Sequence, residues 1–68
     1  MEKNVLSIKI KEKRKEYKLN QKEFALRIGI GLATLRDMEQ GKTTVKLSSI
    51  LTVLRALNLR LVVKDTNE

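Results

Sequence analysis

A capped helical segment followed closely by a second one, within residues 20–41, constrains the fold of this chain more than any other feature. Asn20 is a preferred N-cap residue, and Glu23, three positions later, completes the capping-box pattern. Leu19 before the cap and Phe24 after it have the spacing of a hydrophobic staple, which fixes how the chain enters a helix. The sequence therefore predicts a helix that begins directly after Asn20.

Glycines set the length of both helices. Gly29 stands where the first helix would end in a left-handed residue, and Gly41 ends a second helix that begins at Leu32. Leu35 and Met38 then face inward. Two helices this short, with so tight a joint, cannot lie antiparallel and must cross steeply, which is the geometry of a helix-turn-helix.

The motif residues and their spacing form a more specific pattern. They are Asn20, Gln21, Phe24, Ala25, Ile28, Gly29, Ile30, Thr34, Leu35, Met38, Glu39, Gly41 and Lys42. This pattern resembles the phage-repressor/Cro-type (XRE) helix-turn-helix family, and residues 41–64 are similar to its HipB-like antitoxin and autorepressor branch. The resemblance implies an all-α, lambda-repressor-like DNA-binding domain of four to five short helices, with one C-terminal β-strand that pairs across a dimer.

The chain is accordingly divided into four parts. We expect a flexible N-terminus at 1–4, the helix-turn-helix DNA-binding domain at 5–58, a dimerisation strand at 59–64 and a flexible tail at 65–68. The first helix is expected over residues 5–17, with Leu6, Ile10 and Tyr17 on its inward face.

Composition narrows the partners and the chemistry. A domain of 68 residues buries too little surface to be stable without a disulfide, a metal or a partner. Cysteine and histidine are absent, so no disulfide, metal site or cofactor is expected, and association remains. The net charge of +7 favours a polyanionic partner. No apolar run is long enough for a membrane span or a signal peptide, so we expect a bacterial cytoplasmic, nucleoid-associated protein.

Within the first helix, the resemblance singles out three positions. It implies that Arg14 forms a structural ion pair with Glu39, late in the second helix of the motif. It also places an apolar residue where this chain has Lys13 and a glycine where it has Lys18. These departures predict a slightly looser first helix and a turn without its usual glycine.

The last helix is expected over residues 47–57, followed by a strand. The helix carries an apolar stripe that Val53 and Ala56 widen, which hints at a second buried surface. Its stripe residues are Leu47, Ile50, Leu51, Leu54 and Leu57.

Residues 59–64 alternate and become β-branched, and a single strand needs a partner for its backbone groups. The simplest partner is the same strand of a second copy, across a twofold axis. A frayed apolar tail is the alternative. The residues expected at the dimer interface are Val53, Leu59, Leu61, Val62 and Val63.

Base reading is assigned to the outward face of the second motif helix, because such a helix enters the major groove with its N-terminal residues at base edges. Leu32 and Ala33 would contact thymine methyl groups, and Arg36 would reach guanine or a phosphate. Leu32 would alternatively pack against the turn. Asp37 would accept from a cytosine amine, or only hold Arg36 or a nearby lysine in place. Gly31 lies at the start of the helix.

Phosphate anchoring is assigned to residues that flank this helix. Gln21 opens the first motif helix, where an amide and free backbone donors can grip one phosphate oxygen. The other expected phosphate contacts are Lys22, Lys42, Thr43 and Lys46.

These features favour a dimeric transcriptional repressor that binds double-stranded DNA at a palindromic operator. The resemblance further implies an antitoxin that represses its own operon, with a HipA-like Ser/Thr kinase toxin as partner. A stand-alone or phage-type regulator is the alternative. An RNA-binding or membrane-surface module would explain the charge but not the ordered caps and glycines, and an enzyme would need catalytic groups for which no residues stand out.

Overall fold

The computed structural model describes residues 5–66, which form four helices joined by short turns. The expected flexible N-terminus at 1–4 and the last two residues of the expected tail lie outside this range. An all-α, lambda-repressor-like fold is confirmed, and each helix ends within a residue or two of its predicted end. The helices are α1 (Val5–Glu16), α2 (Gln21–Ile28), α3 (Leu32–Glu39) and α4 (Leu47–Ala56).

The caps predicted for α2 are present at both of its ends. The Asn20 side-chain oxygen accepts from the Glu23 backbone N–H at 2.8 Å, and the Glu23 carboxylate accepts from the Asn20 backbone N–H at 3.1 Å. Gly29 adopts a left-handed φ of 76°, and its N–H donates to the Ala25 carbonyl. This conformation favours glycine, so the chain can turn sharply into α3.

All four helices contribute to one small core. The half-buried Leu19 packs against this core beside Phe24, as the staple spacing predicts. The buried core residues are Ile10, Phe24, Ala25, Leu35, Met38, Val53, Leu54 and Leu57.

Three positions differ from the burial predicted by helical periodicity. Tyr17 is exposed because α1 ends one residue earlier, and its hydroxyl instead accepts from the Asn58 side chain at 3.2 Å. Leu47 is exposed because it is the first residue of α4, beyond the end of the core. Val53 was expected at a dimer interface, but it is 0% exposed in the single chain. It belongs to the core, because α4 packs against the domain over a wider arc than the stripe suggested.

The C-terminal segment has no regular secondary structure in the single chain. Residues 61–66 are all exposed, and no strand lies in the described range to pair with them. The expected strand at 59–64 needs a second chain to form, so it stays a prediction.

The turn between α1 and α2 contains a non-glycine residue in the left-handed region. Lys18 has a φ of 59°, at the position where the resemblance places a glycine. A side chain in this region costs roughly 1–2 kcal/mol because its Cβ crowds the backbone. Asn58 at the end of α4 has a similar φ of 58°, but asparagine tolerates it better.

Replacing Lys18 with glycine is therefore expected to stabilise the domain. Glycine removes the steric cost but loses more backbone entropy on folding, so the net gain should be roughly 0.5–1 kcal/mol. Urea unfolding at fixed protein concentration measures the change. Lys15→Gly, on the exposed face of α1, is the control and should destabilise by about 1 kcal/mol. A loss of stability in Lys18→Gly would contradict the assignment of strain to this turn.

Candidate nucleic-acid interface

The turn after α2 fixes where α3 begins. The backbone N–H groups of Gly29 and Ile30 both donate to the Ala25 carbonyl, at 3.0 and 3.1 Å, and close the end of α2. Gly31 then serves as the N-cap of α3 with an extended backbone and no side-chain cap. The first backbone N–H groups of α3 therefore lie next to an exposed glycine, and a ligand can approach them closely.

Inward residues of α3 leave one face of the helix outside the core. Leu35 and Met38 are buried in the core, as predicted, and Glu39 is buried beside them. Ala33 and Arg36 on the opposite face are exposed. α3 therefore presents a short ridge of side chains, as a recognition helix must.

A buried ion pair holds α3 against α1. The Arg14 guanidinium donates to both carboxylate oxygens of Glu39, at 2.7 and 2.9 Å, and also to the Leu19 carbonyl at 2.7 Å. The hydrogen bond to Glu39 raises the pKa of Arg14, against the opposing effect of burial and with the help of the carboxylate charge. The pair implied by the resemblance is thus confirmed, with bidentate geometry.

Gln21 connects this pair to the surface. Its side-chain amide donates to the Glu39 carboxylate at 3.2 Å, and the residue is half-buried at the first position of α2. Sequence reasoning gave Gln21 only a phosphate contact and missed this second role. One amide N–H is committed inside the protein, and the other remains for a ligand.

Asp37 binds a lysine rather than standing alone. Its carboxylate lies 3.2 Å from the Lys42 ammonium, on the surface just beyond the end of α3. Of the two roles considered for Asp37, the structure shows the one that positions a nearby lysine. An exposed pair of this kind contributes little to stability, so its main effect is on where the Lys42 charge lies.

The remaining predicted contacts are accessible. Lys22, Thr43 and Lys46 are exposed, whereas Leu32 is half-buried and partly packs against the domain. The Arg36 side chain makes no hydrogen bond or ion pair with any other described residue. Arg36 is therefore the cation on the exposed face of α3 that is available to a ligand.

A polar cleft of about 290 Å³ separates α3 from the start of α4. Three hydroxyl residues line it that sequence reasoning did not assign to the site: Thr34, Thr44 and Ser49. Hydroxyl groups commonly bind phosphate oxygens, so the serine and threonine content of the loop could have pointed to them. Asp37, Val45 and Lys46 complete the lining.

Comparison with known proteins agrees with this geometry. The Helix-turn-helix family HTH_3 matches residues 10–63, which include all of α2, α3 and α4. The chain belongs to this helix-turn-helix family. A search of curated protein sequences gave no significant match.

Several solved structures share the fold over nearly the whole chain. A HipB chain in a complex with an O2 20mer has a TM-score of 0.76 and 26% identity, and the match covers 97% of both chains. A chain of a HipA-HipB-O2-O3 complex has a TM-score of 0.75 and 27% identity, with 97% of this chain and 99% of that chain covered. A protein named MDT Protein matches at a TM-score of 0.75 and 26% identity, with the same coverage.

The helix-turn-helix protein described here is thus a DNA-binding regulator of the XRE type, and its structural neighbours belong to the HipB-like branch. Within the described residues, no helix is both long and apolar enough to cross a membrane.

The buried pair makes a specific prediction about stability. Arg14→Met or Glu39→Met alone leaves one buried charge without its partner and should cost roughly 3–5 kcal/mol. The double variant removes both charges, so it should be more stable than either single variant. Urea unfolding of the four proteins measures the coupling. Single costs that simply add in the double variant would mean that the two residues do not act as a pair.

Proposed function

We propose that this regulator is a sequence-specific transcriptional repressor that binds a palindromic operator as a homodimer and represses its own operon. The exposed face of α3, held by the buried Arg14–Glu39 pair, is the observation that carries this proposal. One short helix contacts only a few base pairs, so two copies are needed for useful specificity. Such a protein would act in the bacterial cytoplasm, at the nucleoid.

Base reading falls to the N-terminal half of α3. Arg36 is exposed and uncommitted, so its guanidinium can bind the two major-groove acceptors of a guanine. Ala33 is exposed, and Leu32 is half-exposed, which suits contact with thymine methyl groups. Gly31 allows the sugar-phosphate backbone to approach the start of the helix.

Phosphate contacts surround this helix on both sides. Gln21 and Lys22 lie at the start of α2, and Lys42, Thr43 and Lys46 lie in the loop between α3 and α4. Lys46 is the N-cap of α4 and makes no side-chain cap hydrogen bond, so the first N–H groups of α4 add to its positive charge. These residues would position the protein on DNA without reading sequence.

We further propose that the chain is the antitoxin of a toxin–antitoxin module whose toxin is a HipA-like kinase. Support comes from the solved neighbours, which include HipB chains, one of them in a complex that contains HipA. A surface away from α3 would bind the kinase, so that DNA and toxin can be held together. A regulator without a toxin is the alternative, and the neighbouring reading frame distinguishes the two.

Footprinting on the DNA upstream of the chain's own gene, together with the mass in solution, tests the repressor proposal. We expect a dimer that protects two half-sites about one helical turn apart, roughly 34–36 Å. Adding the product of the neighbouring gene should shift the complex on a sizing column if that product is the toxin. A monomer without a footprint would contradict the repressor proposal, and an unshifted complex would favour the regulator without a toxin.

Arg36→Ala should lower the affinity for the operator far more than the affinity for unrelated duplex DNA. A bidentate arginine–guanine contact discriminates by roughly 1–3 kcal/mol, and it is lost twice in a dimer. Fluorescence anisotropy with operator and scrambled duplexes measures both affinities. Lys22→Ala is the matched control, since a phosphate contact should weaken both duplexes alike. Equal losses for both duplexes in Arg36→Ala would count against base reading.

Operator binding should also depend steeply on salt. If a dimer neutralises about eight phosphates, the slope of log K against log salt should be about −7. Lys46→Ala removes one contact from each protomer and should reduce that slope by about 2. A titration from low to moderate potassium chloride gives both slopes. An unchanged slope in Lys46→Ala would remove this lysine from the interface.

A further inference from the structure

An apolar groove lies beside the C-terminal segment, away from α3. It has a volume of about 320 Å³ and runs between α1, the middle of α4 and the first residues after α4. Exposed apolar residues continue beyond it: Val5 is 81% and Val63 is 90% exposed, and Ile8 and Val62 are also exposed. The lining residues are Val5, Leu6, Lys9, Leu54, Leu59, Arg60 and Leu61.

The backbone next to this groove lacks hydrogen-bond partners. The Leu59 N–H donates to the Leu54 carbonyl at 2.8 Å. From residue 60 to residue 66, the described chain makes no further backbone–backbone hydrogen bond. An apolar segment with free N–H and C=O groups is a template for a strand from another chain. The occupant of the groove must therefore satisfy the backbone as well as cover the apolar side chains.

In an extended segment, alternate side chains point to the same side. Leu59 and Leu61 line the groove, so a strand through these residues would direct Val63 to the groove side as well. Arg60, Val62 and Lys64 would fall on the other side. One side of the strand would thus be wholly apolar, and the other side mixed.

We infer that a second copy of this chain occupies the groove, and that the two C-terminal strands pair antiparallel with Leu61 opposite the partner's Leu61. This inference rests on the homodimer of the proposed function, and it names the interface and its register. The same segment in a second copy offers a matching strand and a matching apolar side, which a twofold axis requires.

The charges of the segment select this register. A twofold axis perpendicular to the sheet places side chains of the same side opposite each other, so the axis must pass at a residue. Centring on residue 60 or on residue 62 puts two cations directly opposite, Arg60 with itself or with Lys64, which is destabilising. Centring on Leu61 instead pairs Leu59 with Val63 and Arg60 with Val62. A centre at residue 63 would place Asp65 against Leu61.

The Leu61 register also fills the groove. Leu59 lies at the groove, and its cross-strand neighbour would be the partner's Val63. This valine, 90% exposed in the single chain, would then cover the apolar lining that α1 and α4 leave open. The arrangement explains why a residue so far along the chain is apolar.

Single cysteines test the register cleanly, because the chain has no cysteine of its own. Two residues directly opposite in antiparallel strands have Cα atoms about 4.5–5.5 Å apart, within reach of a disulfide. Leu61→Cys should therefore form a disulfide-linked dimer under mild oxidation at least ten times faster than Val62→Cys or Val63→Cys. In this register, the two copies of residue 62 would be roughly 8 Å apart, beyond that reach.

A surface substitution tests the groove independently. Val5→Asp should raise the dimer dissociation constant at least tenfold, measured by analytical ultracentrifugation, because it brings a charge into the buried contact. The domain itself should not suffer, since α1 has no acidic residue in its first turn, where one is favourable. Leu26→Asp is the matched control, because Leu26 is 80% exposed on α2 and should change the constant less than twofold.

The outcomes separate this inference from the proposed function. A wild-type chain that is monomeric at operator-binding concentrations would refute the homodimer and the inference together. A dimeric wild-type chain that crosslinks faster through Val62→Cys than through Leu61→Cys would overturn the register. A dimer that Val5→Asp and Leu26→Asp weaken equally would overturn the groove while leaving the homodimer standing.

Discussion

The buried contact between Arg14 and Glu39 determines how the DNA-facing helix is held. A guanidinium removed from water needs a partner for its charge and its donors, and here the Glu39 carboxylate and the Leu19 carbonyl supply them. These three residues belong to α1, the α1–α2 turn and α3, so satisfying one charge fixes the relative positions of all three parts. The small core around Leu35 adds cohesion but little direction, because apolar contacts are not directional.

Local signals predicted the fold well where the physics is local. The capping box at Asn20 and the left-handed Gly29 depend on residues a few positions apart, so their geometry follows from the sequence itself. Tyr17 and Val53 differ because burial depends on which elements pack around them. Periodicity gives the direction of a side chain, but only tertiary packing decides whether that direction leads to the core or to solvent.

The candidate site was predicted in outline, and its internal contacts were not. The outward face of α3 follows from the inward positions of Leu35 and Met38. The Asp37–Lys42 pair joins the helix to the loop beyond its end, where helical spacing no longer tells which side chains meet. The hydroxyl groups of the cleft come from elements separated in the sequence, so their convergence requires the folded chain.

The hydrogen bond from Gln21 to Glu39 has a consequence for association with DNA. Because folding has already restricted the rotamers of this glutamine, little of its freedom is left to lose when it meets a phosphate. The entropic cost of ordering that contact is thus met during folding rather than during recognition. One carboxylate inside the protein prepares two parts of the contact surface in advance, the start of α2 and the end of α3, as a single rigid unit.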